Sequence, residues 1–466
     1  MSEKRQKTSD DFSLKTAMAF SSANVSDILS YQAFSFLIFT FYYTIVRINV
    51  LLISLGFMIW AVWNAINDPL LGGLSDKTES KRGRRLPWII AATIPLSIIM
   101  LLLFTPPISA GIEDELTNFV YFLIIIIVFE LFYTMFSINQ TAAFPEVFID
   151  KVERAKVNSV KQLFGIIALI LAFVLPGIFI PDFTDRRYLV NYWIFGIFAG
   201  IIVLIGGLIF IKWGYLAREE FKDEFKQAPP LGKSIVLCVK NECFRWMALS
   251  LIMIWFVFGM LPTIIPLYGK FVLGMSGFGI SLMLGIAFIS AMAFVNVWRI
   301  LVIKIGPRKT WMLSILAWIA TLIPLLFISD VVSAYIVFTL MGSGLAGALF
   351  LRDITWADII DEDEIKTGVR REAAYYGVNA LFMRFSTILI FLAINLVFTS
   401  TGWAVYAPEK VTPEILFGLR LLIAVFPIIA LCLALFGFYM FPLHGERLEK
   451  VKEEQKRLHA EKKSRT

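Results

Sequence analysis

The sequence predicts an all-α polytopic membrane protein, with about twelve transmembrane helices arranged as two six-helix bundles. Three observations predict it. Of the 466 residues, 58% are hydrophobic and only 17% charged, against roughly 25% charged in soluble domains. The apolar residues cluster in runs free of Asp, Glu, Lys and Arg, such as 119–129, 163–180 and 194–211. The runs show no strict polar–apolar alternation, so helices rather than a β-barrel satisfy the backbone within lipid.

Charged or turn-rich breaks set the elements in order. The first span, 17–46, follows Lys15 and stops before Arg47; the second, 50–75, ends at the run DKTESKRGRR. Spans at 87–105, 117–147, 156–180 and 190–212 complete the first half. The longest polar interval, about 213–240, divides the chain. The second half then reads 244–269, 276–303, 310–329, 332–357, 372–400 and 414–442. The first, fourth and eleventh spans are long enough to tilt or to extend beyond the lipid. This gives an N-terminal bundle over 1–213, a linker over 214–240, a C-terminal bundle over 241–442 and a charged tail over 443–466. GRRLPWI after the second span and GPRKTWM after the eighth occupy equivalent places in the halves, a weak internal repeat.

Basic residues orient the chain. Only Arg47, Arg186, Arg187, Lys270 and Lys410 of the 43 Lys and Arg fall in loops on the side opposite the termini, while Arg384 and Arg420 fall within spans. The remainder lies toward the side that carries both ends, which places both termini in the cytoplasm. The net charge of +7 is the sum of these loops and requires no nucleic-acid partner. The expected location is the cell membrane, with no cleavable signal in the polar first sixteen residues. Cys238, Cys243 and Cys432 form no disulfide framework, and Cys238 and Cys243, at the cytoplasmic end of the seventh span, are expected to be inert. The mixed-charge tail is expected to be a frayed, solvated helix.

No catalytic pattern is present. GKS at 232–234 lacks the first glycine of a phosphate loop, and the two histidines, His444 and His459, lie in the tail. The chain is therefore not expected to be an enzyme, to hold a cofactor, or to use an intramembrane histidine relay.

Residues 63–89 read WNAINDPLLGGLSDKTESKRGRRLPWI, and residues 357–377 read ADIIDEDEIKTGVRREAAYYG. Both strings resemble signatures of the glycoside–pentoside–hexuronide:cation symporters, the melibiose permease-like branch of the major facilitator superfamily. The vertebrate lysophospholipid symporters share the pattern. The resemblance implies the major facilitator fold, a central site and alternating access. The expected function is Na+- or H+-coupled symport of a sugar or glycoside-like small molecule, by a chain acting as a monomer in the bilayer. A lysolipid, other amphiphile or organic anion is the alternative substrate.

Intramembrane polar residues support a central site, since a charge within the bilayer is costly without a partner or a water-filled cavity. Gly56, Trp60, Asn64, Asp68 and Gly72 recur at steps of four along one face of the second span. In melibiose-type symporters this face holds the coupling cation between two acidic residues. Here Asp68 matches the second and Asn64 replaces the first, so a Na+ at Asp68 loses one carboxylate, and a proton suits the site equally. Arg384 aligns with a family lysine near both sites and is an expected partner of Asp68 or Glu130. Asn24, Asp27 and Tyr31 on the first span, Glu130, Ser137 and Thr141 on the fourth, and Gln162 on the fifth line the expected substrate cavity. Ser137 and Gln162 stand where the family has an acid and an arginine. Thr141 and Leu349 stand where it has tryptophans, and Asp27 is about two residues out of register with the family's first-span acid. Glu130 can replace one acid.

Clusters of opposite charge define an expected cytoplasmic gate. Asp76, Arg84 and Arg85 come from the first half, and Asp358, Asp361, Glu364, Arg370 and Arg371 from the second. Several exposed pairs, each worth about 0–1 kcal/mol, can bias a two-state equilibrium. The small-residue stretch 341–350, MGSGLAGALF, is expected to permit close helix packing.

Overall fold

A computed structural model describes residues 13–148, 151–215, 231–368 and 371–464. All regular structure among them is helical. Eleven helices are long and apolar enough to cross a membrane, and Leu86–Leu102 is a shorter apolar helix between two of them. The helices are α1 (Leu14–Thr40), α2 (Val50–Asp76), α3 (Leu86–Leu102), α4 (Glu115–Val147), α5 (Lys151–Phe179), α6 (Leu189–Ile209), α7 (Leu231–Lys240) and α8 (Glu242–Phe271). They continue with α9 (Gly277–Ile305), α10 (Pro307–Leu322), α11 (Val331–Thr367), α12 (Glu372–Ser400), α13 (Pro413–Arg420), α14 (Phe426–Met440) and α15 (Glu446–Ser464).

Local chemistry sets many of the ends. The side chains of Asp114, Asn241, Ser276 and Asp330 accept hydrogen bonds from first-turn amides of α4, α8, α9 and α11. Pro307 and Pro413 open α10 and α13, where a missing N–H costs nothing. Gly368, with φ of +73°, ends α11 by donating its N–H to the Glu364 carbonyl at 2.7 Å. Proline also sits inside α2 (Pro69), α4 (Pro145), α5 (Pro176) and α8 (Pro262 and Pro266), as membrane helices tolerate.

Two expectations change here. The longest span is α11, whose 37 residues carry the acidic signature as helix rather than loop. The tail is anchored, because Leu443, Leu448 and Val451 are buried and α15 packs on α11. Arg420 lies within the span Pro413–Met440, as expected, and its guanidinium donates to the Ser329 hydroxyl at 2.9 Å and to the Leu326 carbonyl.

The chain forms two compact units. One comprises Met1–Ile38, Ile66–Pro181 and Asp185–Gln227. The other comprises Phe39–Ala65, Asp182–Thr184 and Ala228–Thr466. This differs from a division at the linker. The end of α1 and the start of α2 group with the later helices because their aromatic side chains pack there. Phe57 stacks on Phe391 at 3.9 Å, and the Tyr43 ring lies 5.1 Å from Phe398 and 5.5 Å from Trp403.

In the first unit, α6 lies against α3 through glycines. A Cβ at Gly196 would come within 2.8 Å of the Met100 carbonyl, and one at Gly200 within 2.5 Å of the Ser97 carbonyl. In the second unit, a Cβ at Gly342 would meet the Ala287 carbonyl and the Ala291 amide at 2.6 Å, and one at Gly347 would meet Ser314. The small-residue stretch therefore serves packing of α11 against α9 and α10.

Candidate functional site

The polar core of the first unit is built on one face of α4. Glu130, Tyr133, Thr134 and Ser137 follow the i, i+3, i+4, i+7 spacing that stacks side chains along a helix. Glu130 is 1% exposed, far below what an ionised side chain tolerates without partners. Asn67 on α2 donates its amide to the Glu130 backbone carbonyl at 3.3 Å, joining the two helices.

Thr134 is the centre of this group. Its hydroxyl oxygen lies 3.2 Å from an Asp68 carboxylate oxygen and 3.1 Å from a Glu130 carboxylate oxygen. A hydroxyl has one proton to give, and an ionised carboxylate can only accept. With both acids ionised, one would face a lone pair across a short contact. Carboxylate, hydroxyl and carboxamide oxygens form a hard donor set that fits an alkali cation as well as a proton. Asn64, one turn before Asp68 on α2, is fully buried, and neither polar atom of its carboxamide has a hydrogen-bond partner among the described residues.

A second group lies beside the first. Asp27 on α1 is within hydrogen-bonding reach of the Ser137 and Tyr133 hydroxyls and faces the charge of Lys161 on α5. Asn24 donates to the Lys161 carbonyl at 3.1 Å. That contact depends on Gly165, where a Cβ would come 3.1 Å from the Asn24 amide nitrogen. Tyr31 stacks on Tyr133 at 5.1 Å, and Phe34 on Phe129 at 4.4 Å, so an aromatic column continues from the polar group.

The structure thus brings together Asn24, Asp27, Tyr31, Glu130, Ser137 and Asp68. Thr141 and Gln162 are exposed and outside these contacts. Arg384 is half-buried on α12 in the second unit. Lys161 and Tyr133 were missed by the reading of the sequence. Lys161 had a legible signal: it is a cation five residues inside the expected fifth span, adjacent to the Gln162 chosen in its place.

The charged clusters near the chain ends are paired within each unit. In the first, Glu146 on α4 receives Arg84 at 2.7 Å and Arg85 at 3.1 Å, while Arg85 also binds Asp76 and the Ser75 hydroxyl. Gly83 turns this loop with φ of +85°, and a Cβ there would strike the Tyr215 hydroxyl. Burial, with Glu146 nearby, pushes the Tyr215 phenol above its ordinary pKa. In the second unit, Glu362 receives Arg447 at 2.6 Å and Lys366 at 3.0 Å, Asp358 faces Lys452 at 3.8 Å, and Asp363 faces Arg371 at 3.4 Å. Asp361 is half-buried and Glu364 buried on the same turns. Arg370 lies outside the described residues.

Long apolar helices around a buried, charge-bearing polar core define a membrane transporter. The chain belongs to the MFS/sugar transport protein family, whose model matches residues 19–445. It is 22% identical to the uncharacterized symporter sll1374 of Synechocystis sp., covering 88% of this chain and 91% of that one. It is 21% identical to the sodium-dependent lysophosphatidylcholine symporter 1 of Mus musculus, covering 96% and 88%. Among solved structures, it is similar to a bacterial homolog of the human lysosomal transporter Spinster, with a TM-score of 0.66, 12% identity and coverage of 93% and 98%.

Proposed function

We propose that this transporter is a cation-coupled symporter for a sugar-like solute, working by alternating access as a monomer in the cell membrane with both termini cytoplasmic. The observation that supports the coupling is the Thr134 hydroxyl shared by two carboxylates, which gathers three hard oxygen donors at one point. In this reading Asp68, Glu130 and Thr134 hold the Na+ or H+, with Asn67 as a further oxygen donor. Glu130 supplies from α4 the carboxylate that Asn64 removes from α2.

Asp27 and Lys161 supply what sugar recognition needs, an acceptor and a donor of charge-assisted hydrogen bonds beside aromatic rings. They stand in for the first-span acid and fifth-span arginine of melibiose-type symporters, each from a shifted position. The family description favours sugars. An amphiphile is the second reading, favoured by the likeness to the sodium-dependent lysophosphatidylcholine symporter 1 of Mus musculus.

Uptake into proteoliposomes separates these readings. Imposed Na+ or H+ gradients are expected to drive accumulation of a member of a radiolabelled sugar and glycoside panel. Uptake independent of any gradient would remove symport, and uptake of lysophospholipid alone would favour the second reading.

Alternating access also requires the face opposite the termini to open. In the second unit Lys270 binds Asp182 at 2.5 Å, the Tyr406 hydroxyl donates to the Thr184 carbonyl at 3.2 Å, and Thr44 donates to the Phe183 carbonyl at 3.2 Å. The Lys270–Asp182 pair is partly exposed, so it is worth at most about 1 kcal/mol, a roughly fivefold population shift. Lys270→Ala is expected to raise by about that factor the labelling of a Val46→Cys reporter by an impermeant thiol reagent. An unchanged rate would remove this pair from the gate.

A further inference from the structure

The acidic signature on α11 is already engaged by the chain's own C-terminus. Glu362 is 3% exposed and receives both Nε and Nη2 of Arg447, at 2.8 and 2.6 Å. The Cys243 thiol at the start of α8 donates to the other Glu362 oxygen at 3.1 Å. One turn earlier on α11, the buried Asp358 faces Lys452. One tail helix therefore ties together the beginning of α8 and the end of α11.

The contact is built to be reversible. The carboxylates are buried, but the cations are not: Arg447 is 40% exposed and Lys452 53%. Screened, solvent-facing cations bind weakly and in a salt-dependent way. The segment joining α14 to α15 turns at Gly445, whose φ of +53° is one that glycine adopts without strain. Among the residues of the helix whose burial is described, Leu448 and Val451 add buried apolar surface. Arg308 meanwhile holds the end of α14 independently, donating to the Phe438 carbonyl at 2.8 Å. Release of α15 therefore leaves the last span fixed.

We propose that α15 is a dissociable clamp that sets the transport rate by withholding Asp358 and Glu362 from the gate. This rests on the reading of the acidic signature as a gate element. Docked, the clamp occupies these carboxylates with its own cations. Released, they become available to other basic groups on the same face, and that face stays closed for longer.

Cys243 provides a native reporter, because it is fully buried and lies 3.8 Å from the Arg447 guanidinium. In full-length protein carrying Cys238→Ser and Cys432→Ser, maleimide labelling of Cys243 is expected to be slow at low ionic strength. It should rise about tenfold in 0.5 M NaCl, and by a similar factor at low salt in the Arg447→Gln, Lys452→Gln variant. The same variant is expected to slow substrate exchange in proteoliposomes several-fold. Asp358→Asn, which weakens the gate itself, is expected to speed it. Protection of Cys243 that survives both high salt and the double variant would show a permanent structural contact and overturn the clamp. Faster labelling with exchange unchanged would reduce α15 to a cover. If Asp358→Asn were silent as well, the gate reading would fall with it.

Discussion

Conversion of Asp68 or Glu130 to its amide uncouples transport: gradient-driven accumulation collapses while equilibrium exchange of the solute continues. In the proposed site each carboxylate would contribute a charge-assisted contact to the ion, worth about 1.5–3 kcal/mol, so apparent cation affinity is expected to fall roughly ten- to hundredfold in either variant. Thr134→Val, which removes the shared hydroxyl, gives the same phenotype at smaller magnitude. The variants also identify the ion. With a proton, Glu130→Gln mimics the permanently protonated site, and exchange becomes independent of pH. With Na+, stimulation by Na+ is lost while any pH dependence remains. Proteoliposome uptake and exchange, measured in parallel across imposed gradients, read both quantities. Undiminished accumulation in both amide variants would end the assignment.

Lys161→Met raises the KM for exchange by a similar roughly ten- to hundredfold, the value of one hydrogen bond from a charged group. Asp27→Asn does the same from the accepting side. The two effects are not additive, since Asp27 faces the charge of Lys161. The double variant recovers thermal stability that Lys161→Met loses, because it leaves no uncompensated carboxylate on α1, yet it does not recover affinity. Lys161→Arg keeps the charge and retains part of the uptake. A wild-type KM in Lys161→Met would exclude the residue from the substrate site, and Gln162 would become the next candidate on α5.

The spans were legible because lipid imposes one rule on every residue, and Arg47, Asp76 and the GRRLPWI loop end their helices where their charges demand. The contact shared by Asp68, Glu130 and Thr134 was half legible. Asp68 announces itself by spacing on α2, and Glu130 by its charge within α4. Their common contact with Thr134 depends on how α2 and α4 rotate against each other, which no single helix records. Lys161 was missed for a related reason. Its charge inside the fifth span was visible, but that it faces Asp27 depends on how α1 and α5 approach, which neither helix records alone. The anchoring of α15 was likewise out of reach, because its charges alternate as they do on any solvated helix, and Glu362 is known to be buried only once α8 covers it.

Pro69 gives α2 a property that neither its charges nor its apolar face confers. Lacking an N–H, it cannot complete the helical hydrogen bond to the carbonyl of Ala65. That missing rung falls beside Asp68, at the place where α2 leaves one compact unit and enters the other between Ala65 and Ile66. A helix with an open rung bends there at low cost, and the released carbonyl oxygen points a dipole along the same turn as the coupling carboxylate. Ion occupancy and the curvature of α2 thus depend on the same few atoms. Among the described helices α1 and α2 each run through both units, and under the proposed coupling a cation drawn to Asp68 would act on the second of them.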